Sequence, residues 1–342
     1  MIDVAANLIA VSADSPCGEN LEYDPVFGEM ERATVGKPEQ QFGKTIVPAE
    51  EPNWKDVGKL ALQLSGRTKD LRVATQLAKA ELAQSGLPAF ASVLELIRGY
   101  VELFWETVHP QLDPSDGNDP ILRINTLESL CDADSTLRLL RLCPIVSARS
   151  VGRFNLRDVA VAEGEIKPPA GTTEAPDWTK INAAFLDSPI EEVSANAVAV
   201  KSARDHLVNI QKIISEKVGA GSGVNFQPIQ SVLAVADKIF TEQLSKRGAS
   251  VETAVTGEAA VSPGPVAAVQ PLQIPGEINS RDDVVAALDR ICDYYAKREP
   301  SSPLPLLLQR CKRLVSASFL EIIQEMIPDA VDKAKAMGGQ PK

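Results

Sequence analysis

The chain has 342 residues, of which 44% are hydrophobic and 5% aromatic, and its formal net charge at pH 7 is −11. This length allows two or three domains, and the scarcity of aromatic residues beside abundant Ala, Leu and Val favours helices over sheets. The acidic balance argues against a nucleic-acid partner, since phosphate backbones bind basic surfaces. No apolar run reaches the roughly 18 residues of a membrane span, and the N-terminus lacks a basic signal-peptide region. We therefore predict a cytoplasmic protein without direct membrane insertion.

Residues 15–57 form a long polar segment, rich in Gly, Pro and charge, ahead of the first clear helices. Loops of this length inside a compact domain are usually functional or disordered. This one also carries hydrophobic side chains that can hold it to a core. We therefore predict an ordered loop anchored by Tyr23, Phe27, Phe42, Ile46 and Trp54.

Apolar residues then recur at three- and four-residue spacing, as in amphipathic helices. Gly86 breaks this pattern, Pro88 stands early in the third helix, and His109-Pro110 ends that helix. The spacing predicts helices over 54–64, 71–82 and 88–107, followed by two shorter helices within 119–142.

Residues 144–163 carry alternating or β-branched residues on both sides of Ser150–Gly152, which predicts a short β-hairpin. Helical spacing returns afterwards. The last two helices are joined by the short segment Gly219–Gly223, so we expect them to pack as an antiparallel hairpin. The predicted helices of this part span 177–187, 190–218 and 225–247.

The remaining sequence predicts a flexible tether followed by a small helical unit. The tether, rich in Pro, Gly, Ala and Val, would reach roughly 30 Å as a random coil. Three short apolar stripes follow it, and a unit this small buries little area, so we expect it to oligomerise rather than stand as a self-sufficient tail. The candidate interface residues are Tyr294, Tyr295, Leu304, Leu306, Leu307, Leu308, Phe319, Ile322 and Ile323.

The predicted fold class is mainly α. A multi-helix N-terminal domain carries the long ordered loop and the small β-hairpin, and a helical hairpin, a flexible linker and a three-helix C-terminal module follow. The corresponding boundaries are 1–170, 177–248, 249–279 and 280–342.

The segment Gly43-Lys44-Thr45 is a tempting match to a phosphate-binding loop. Such a loop needs a glycine five residues earlier, but that position is Pro38, which lacks the required N–H. No strand is predicted before the segment either. We predict no nucleotide site, and a phosphate-binding enzyme remains only a remote alternative.

The five cysteines form no CxxC pair, and Cys292 and Cys311 lie on apolar stripes, where reduced, buried thiols are expected. Of the two histidines, His109 lies at a predicted helix end, where we expect capping or packing. His206 lies beside Asp205 on what we expect to be a solvated face. We therefore predict no catalytic residue, no cofactor and no metal.

Seven N-terminal residues are candidates for anchoring the loop or for contacting a partner. Trp54 opens one predicted helix and Trp105 closes another, which favours packing of the loop on the bundle. Aromatic residues and arginine are also favoured in binding hot spots, and Asp70 suits a helix N-terminus electrostatically. The full set is Tyr23, Phe42, Trp54, Asp70, Arg72, Trp105 and His109.

Several long motifs carry a resemblance to a known family: PCGENLEYDP, GKPEQQFGKTIVPAEEPNW, KDLRVA, FWETVHPQLD and NDPILRINTL. Through them, roughly residues 12–165 resemble the N-terminal domain of the TssA (ImpA-type) family of bacterial type VI secretion systems. The segment that starts SRDDVVAALDRICDYYAKREP resembles the end of the shorter, baseplate-like class of this family.

The resemblance implies a scaffold rather than an enzyme. It implies a ring-shaped homo-oligomer built by the C-terminal domain, with the N-terminal domain binding baseplate, tube and sheath proteins. Some members act at the baseplate and others cap the distal sheath end, and the short C-terminus favours the first. The alternative is a monomeric or dimeric adaptor whose tail binds a partner helix.

Overall fold

The computed structural model describes residues 2–36, 40–42, 45–47, 51–168, 175–219, 223–248, 284–285, 288–289, 291–292, 295 and 304–315. Backbone contacts divide the chain into two compact units, residues 1–259 and 260–342. The predicted mainly α class is confirmed. Among the described residues, no helix has the length and apolar character that crossing a bilayer requires.

The first unit contains the helices α1 (Val4–Asn7), α2 (Pro25–Ala33), α3 (Trp54–Ser65), α4 (Leu71–Ser85), α5 (Leu87–Leu103), α6 (Ile121–Glu128), α7 (Thr136–Leu142), α8 (Leu156–Ala162), α9 (Trp178–Asp187), α10 (Ile190–Val218) and α11 (Gln227–Lys246). Short 3-10 turns occupy Pro114–Asp116 and Ser129–Cys131. The strands are β1 (Gln40–Phe42), β2 (Thr45–Val47), β3 (Pro144–Ala148) and β4 (Gly152–Asn155).

Consecutive helices pack side by side from α2 to α5, and a later helix then returns to α5. Helices α2, α3, α4 and α5 each contact the next, and the long α10 packs against both α5 and α11. The apolar residues Val193, Ala197 and Val200 recur on α10 at helical spacing and are buried. One hydrophobic core therefore contains residues from α2 through α11.

The third helix ends earlier than predicted. Helix α5 stops at Leu103, and the Phe104 N–H makes its last helical bond, to the Tyr100 carbonyl at 3.0 Å. The following residues leave the helix because their carbonyls bond the buried Arg123 guanidinium. The sequence predicted that His109-Pro110 ends this helix. This prediction was wrong, because the helix already ends at Leu103.

In the part of the chain that the structure describes, the strands form two antiparallel hairpins. Strands β3 and β4 pair with Ala148 opposite Gly152, which confirms the predicted hairpin, but the following segment is helix α8 rather than strand. A capping box between Asn155 and Asp158 starts that helix. Strands β1 and β2 also pair. The sequence analysis predicted no strand before the Gly43-Lys44-Thr45 segment, and this was wrong because β1 lies there. Gly43 and Lys44 themselves lie outside the described residues.

Side-chain bonds join the end of α11 to the turn between α9 and α10. Arg247 Nη1 donates to the carbonyls of Phe185, at 2.8 Å, and of Ser188, at 3.0 Å. One turn earlier, Gln243 Nε2 donates to Asn182 Oδ1 at 2.8 Å. The last described residues of this unit are therefore bonded to α9 and to the turn that joins α9 to α10.

The position of His206 beside Asp205 predicted a solvated face, and this prediction was wrong. His206 is half-buried, and its Nδ1 has no hydrogen-bond partner among the described residues. Burial, together with the nearby positive charge of Arg98, lowers the pKa of His206, while Glu95 and Asp205 oppose this shift. The prediction failed because α10 packs against two other helices, which leaves less of its surface in water.

We expect His206 to make the N-terminal unit less stable in mild acid. The unfolded chain takes up a proton near the ordinary pKa of 6.5, whereas the folded unit takes it up only at lower pH, so the free energy of unfolding falls as pH drops below that value. Urea unfolding at pH 7.5 and 5.5 should show this fall, and His206→Leu should reduce it. An unchanged fall in the variant would contradict the assignment.

In the second unit, the structure describes α12 (Leu304–Leu314) and the helical residues 284–285, 288–289, 291–292 and 295. Lys312 Nζ pairs with Asp289 Oδ1 at 2.6 Å. Cys311 is exposed and Cys292 half-buried, so the expectation of buried thiols there was wrong. The buried thiols of the described chain are Cys17 and Cys143. The third predicted helix of this unit lies outside the described residues.

Candidate functional site

Asp70 and Arg72 form an ion pair where α4 begins. Asp70 is the N-cap of the helix and accepts the Arg72 backbone N–H at 2.8 Å, and its carboxylate is fully buried. The Arg72 guanidinium donates to both Asp70 oxygens, from Nε at 3.1 and 3.2 Å and from Nη2 at 2.8 Å. It also donates to Glu22 at 3.0 Å and Asn20 at 3.1 Å, and it lies over the Phe27 ring. This one side chain therefore joins the N-terminal loop to the bundle.

The electrostatics around Arg72 favour its charged form. Burial works against the charge on Arg72, but the hydrogen bonds and charges of Asp70 and Glu22 outweigh it and raise the pKa of Arg72. In turn, the hydrogen bond and charge of Arg72 lower the pKa of Glu22. The bonds of Arg72 to Asp70 on one side and to Glu22 and Asn20 on the other therefore hold the loop to the bundle.

Three separate chain segments meet in a short backbone ladder beside this pair. The Lys69 N–H donates to the Cys17 carbonyl at 2.8 Å, and the His109 N–H donates to the Lys69 carbonyl at 3.1 Å. The Leu71 N–H donates to the His109 carbonyl at 2.9 Å. His109 Nε2 lies 3.1 Å from the Gly18 carbonyl, which can only accept, so Nε2 carries the proton. His109 is thus a buried structural bridge.

The Lys69 ammonium is almost completely buried next to the ladder. Its Nζ donates to the Asn7 carbonyl at 2.8 Å and lies 5.7 Å from the Tyr100 ring centroid and 5.3 Å from that of Phe104. Burial lowers the pKa of Lys69. The ammonium joins the last residue of α1 to the end of α5, and the aromatic faces provide part of its solvation.

Arg123 holds the chain that follows α5. Its side chain is 1% exposed and donates to the carbonyls of Trp105, of Val108 at 2.7 Å and of Pro110 at 2.7 Å. The guanidinium carbon lies 4.7 Å from the Trp105 ring centroid, and Lys217 Nζ lies 5.9 Å from the same ring. Burial lowers the pKa of Arg123 to about 10. The guanidinium still carries its charge at neutral pH.

The candidate N-terminal residues divide into buried and exposed positions. Trp105 and His109 are buried and Trp54 is half-buried, with the Trp54 carbonyl accepting from Gln84 at 2.9 Å. Tyr23 is 93% exposed, so its expected role as a loop anchor was wrong. Phe42 ends β1, and its side chain lies outside the described part. Partner contact by any of these residues stays a prediction.

Comparison with known proteins identifies the family. The family described as "ImpA, N-terminal, type VI secretion system" matches residues 8–132. The type VI secretion system component TssA1 of Pseudomonas aeruginosa strain PAO1 is 40% identical over 345 residues, which cover 99% of each chain. The chain belongs to the TssA family. The resemblance inferred from the sequence motifs is thereby confirmed.

A solved structure from the TssA family supports the fold. It is the N-terminal domain, including the conserved ImpA_N region, of the TssA component from Burkholderia cenocepacia. The TM-score is 0.59 at 23% identity, and the match covers 73% of this chain and 96% of that one. At this identity the likeness concerns the arrangement of helices alone.

The ImpA match contains most of the loop contacts of this TssA family member. Residues 8–132 include the Asp70–Arg72 pair, the backbone ladder at His109 and the buried Arg123. The contacting residues Asn7 and Lys217 lie outside it. The anchored loop is therefore largely a feature of the matched ImpA region.

The sequence-based candidates omit Arg123 and Lys69. For Arg123 a signal was available, because it lies four residues before Leu127 and seven before Leu130, on the same buried helical side. A charged residue in such a position is rarely buried without bonds to the main chain. Lys69 precedes its helix, and residues far away in the sequence surround its ammonium, namely Asn7, Tyr100 and Phe104, so no local pattern marks it.

The Cys17 thiol of this site is poorly suited to act as a nucleophile. Burial raises the pKa of the Cys17 thiol, which opposes formation of a nucleophilic thiolate, and its Sγ lies 3.3 Å from Thr107 Oγ1. Within the described ranges, no group of three His, Cys, Asp or Glu side chains is placed to hold a metal ion. The arrangement provides charged groups that bind the loop to the bundle.

Among the candidate oligomer residues, the structure describes those of α12 and Tyr295. Leu306 is 73% exposed, Leu304 and Leu307 are also exposed, and Leu308 is half-buried. The remaining candidates lie outside the described residues: Tyr294, Phe319, Ile322 and Ile323. Helix α12 thus presents large apolar side chains to solvent.

Proposed function

We propose that this TssA family member is a non-enzymatic structural component of the type VI secretion system and forms a ring-shaped homo-oligomer through residues 280–342. Its N-terminal unit binds baseplate, tube and sheath proteins in the cytoplasm during tail assembly. The chain falls in the shorter, baseplate-like class. The observation that carries the proposal is the 40% identity to TssA1 over 99% of both chains, which extends through both units.

The exposed leucines of α12 support self-assembly. Burying a leucine side chain completely stabilises an interface by roughly 1.5–3 kcal/mol, so Leu306 and Leu307 favour association. A ring would then display many N-terminal units at once. Several weak contacts to moving secretion proteins would add up to tight binding, provided that residues 249–279 can span the sites.

The N-terminal contacts support a structural rather than enzymatic role. The charged groups that might otherwise do chemistry, on Lys69, Asp70, Arg72 and Arg123, already bind the loop or the main chain. They leave the outer surface of the loop, including Tyr23, available to a partner.

Leu306→Asp is expected to convert a large discrete assembly of the full chain into monomer, because a carboxylate replaces an apolar contact at each subunit interface. Leu186→Asp is a matched control, since Leu186 is also an exposed leucine but lies on α9 of the first unit. It should retain the assembly. Light scattering coupled to size-exclusion chromatography measures both masses against the 36.7 kDa chain.

A monomeric full chain would contradict ring formation. It would favour the alternative, an adaptor whose C-terminal region binds a partner helix. A discrete assembly that survives Leu306→Asp would instead move the interface away from the exposed side of α12.

A further inference from the structure

An open groove lies between α7, α8 and α11 on the N-terminal unit. Its volume is about 720 Å³, within the range of roughly 300–1,000 Å³ that is usual for binding clefts. The buried side chains of Leu137 and Leu156 line it together with Val232, and Val235 is 49% exposed at its edge. The groove therefore leaves apolar surface in water that a partner can cover.

The charged residues of the groove have the opposite sign to the chain as a whole. Three arginines line it, with Glu165 as the single acidic side chain among its described lining residues. Arg138 pairs with Glu51, whereas Arg141 and Arg157 are exposed and have no salt bridge within the described part of the chain. On a chain with a net charge of −11, this groove is locally basic.

The shape of the lining favours a helical occupant. On α11 the lining residues are Pro228, Ser231, Val232 and Val235, which form one ridge at the spacing i, i+3, i+4 and i+7. Residues of α7 and α8 form the opposite wall, since α7 contacts both α8 and α11. A space bounded by helical ridges accepts the ridge of another helix.

We propose that this groove binds an amphipathic helix of a partner protein, with the apolar side chains of the helix on Leu137, Val232 and Val235 and its flanking carboxylates on Arg141 and Arg157. Apolar contact supplies the affinity, and the two free guanidinium groups set the orientation and select against basic helices. This names the chemistry of a partner for the proposed scaffold, but it does not depend on ring formation.

The test uses the full chain and a fluorescein-labelled helical peptide of about 20 residues, long enough for about 30 Å of helix. Leucines stand at i, i+3, i+4 and i+7 positions with glutamates beside them. A second peptide has every glutamate replaced by lysine. Fluorescence anisotropy should show binding of the acidic peptide, weaker binding at high salt, and at least about tenfold weaker binding of the basic peptide.

Variants locate the binding surface. Arg141→Glu and Arg157→Glu should each lower the affinity for the acidic peptide by about tenfold, because electrostatic attraction becomes repulsion. Val235→Asp should lower the affinity for the acidic peptide to a similar degree, because it places a charge on the apolar wall of the groove. Arg149→Glu is the control with the same charge change, since Arg149 is exposed and lies outside the groove. This variant should bind the acidic peptide with unchanged affinity.

Any of three peptide-binding results would overturn the proposal: no binding of the acidic peptide, equal binding of both peptides, or groove variants that bind the peptide as well as the control does. Loss of assembly mass in Arg141→Glu would identify a second copy of the chain as the occupant and would also overturn it. Leu306→Asp should leave peptide affinity per chain unchanged, so failure of ring formation and failure of groove binding are separate outcomes.

Discussion

Replacing Arg123 with methionine is expected to lower the free energy of unfolding of the N-terminal unit by about 4 kcal/mol. The substitution leaves the carbonyls of Trp105, Val108 and Pro110 without their buried donor. Each unsatisfied buried carbonyl costs roughly 1–3 kcal/mol. Removing the desolvated charge, whose pKa is about 10, returns part of this loss. The net effect stays strongly destabilising because methionine can replace the packing but none of the bonds.

Urea unfolding followed by tryptophan fluorescence measures this loss in the full chain. The three tryptophans, Trp54, Trp105 and Trp178, all belong to residues 1–259, so the signal reports that unit. Arg123→Lys should lower the free energy of unfolding by less than Arg123→Met does, since an ammonium keeps the charge and some of the hydrogen-bond donors. Arg149→Met, an exposed control, should change stability by less than about 0.5 kcal/mol. Equal losses for Arg123→Met and Arg149→Met would contradict the role assigned to Arg123.

Gly18→Ala is expected to lower the free energy of unfolding by about 3 kcal/mol. Gly18 has φ +72°, and a Cβ added there would lie 2.2 Å from the Arg67 carbonyl oxygen. The left-handed conformation alone costs alanine roughly 1–2 kcal/mol. The clash adds more, because relieving it moves the backbone away from Thr68, whose hydroxyl donates to the carbonyls of Cys17 and Glu19.

Gly117→Ala separates the two contributions. Gly117 has a similar φ of +65°, but no atom lies within 4 Å of an added Cβ. Gly117→Ala should therefore lower the free energy of unfolding only by the cost of the left-handed conformation, about 1 kcal/mol. The same fluorescence-detected unfolding compares both variants, and equal losses would show that the approach of the loop to Arg67 can relax without cost.

Helices were predictable where apolar spacing extended over several turns. The stripes of α4, α10 and α11 follow directly from residues such as Leu71, Val193 and Leu233, which alternate with polar positions at helical period. Helix α8 was missed because Leu156–Ala162 is short and rich in valine and alanine, so its pattern also suits a strand. The capping box at Asn155 was the available signal for a helix start.

The loop contacts were harder to predict because they join residues far apart in sequence. Cys17 meets Lys69, and Glu22 meets Arg72, across about fifty positions, and one sequence carries no information on such pairs. Tyr23 shows the reverse error. Its hydrophobic ring suggested an anchor, but burial is decided by what packs against it, and the ring lies in solvent.

The bonds of Arg247 have a mechanical consequence. Any pull on the chain beyond Gly248 reaches the N-terminal unit at this residue, whose guanidinium is bonded to Phe185 and Ser188. Such a pull therefore acts on α9 and on the turn before α10 as well as on α11. Under tension we expect α11 to stay attached to α9, so that the force is carried by two helices of the bundle rather than by the end of one.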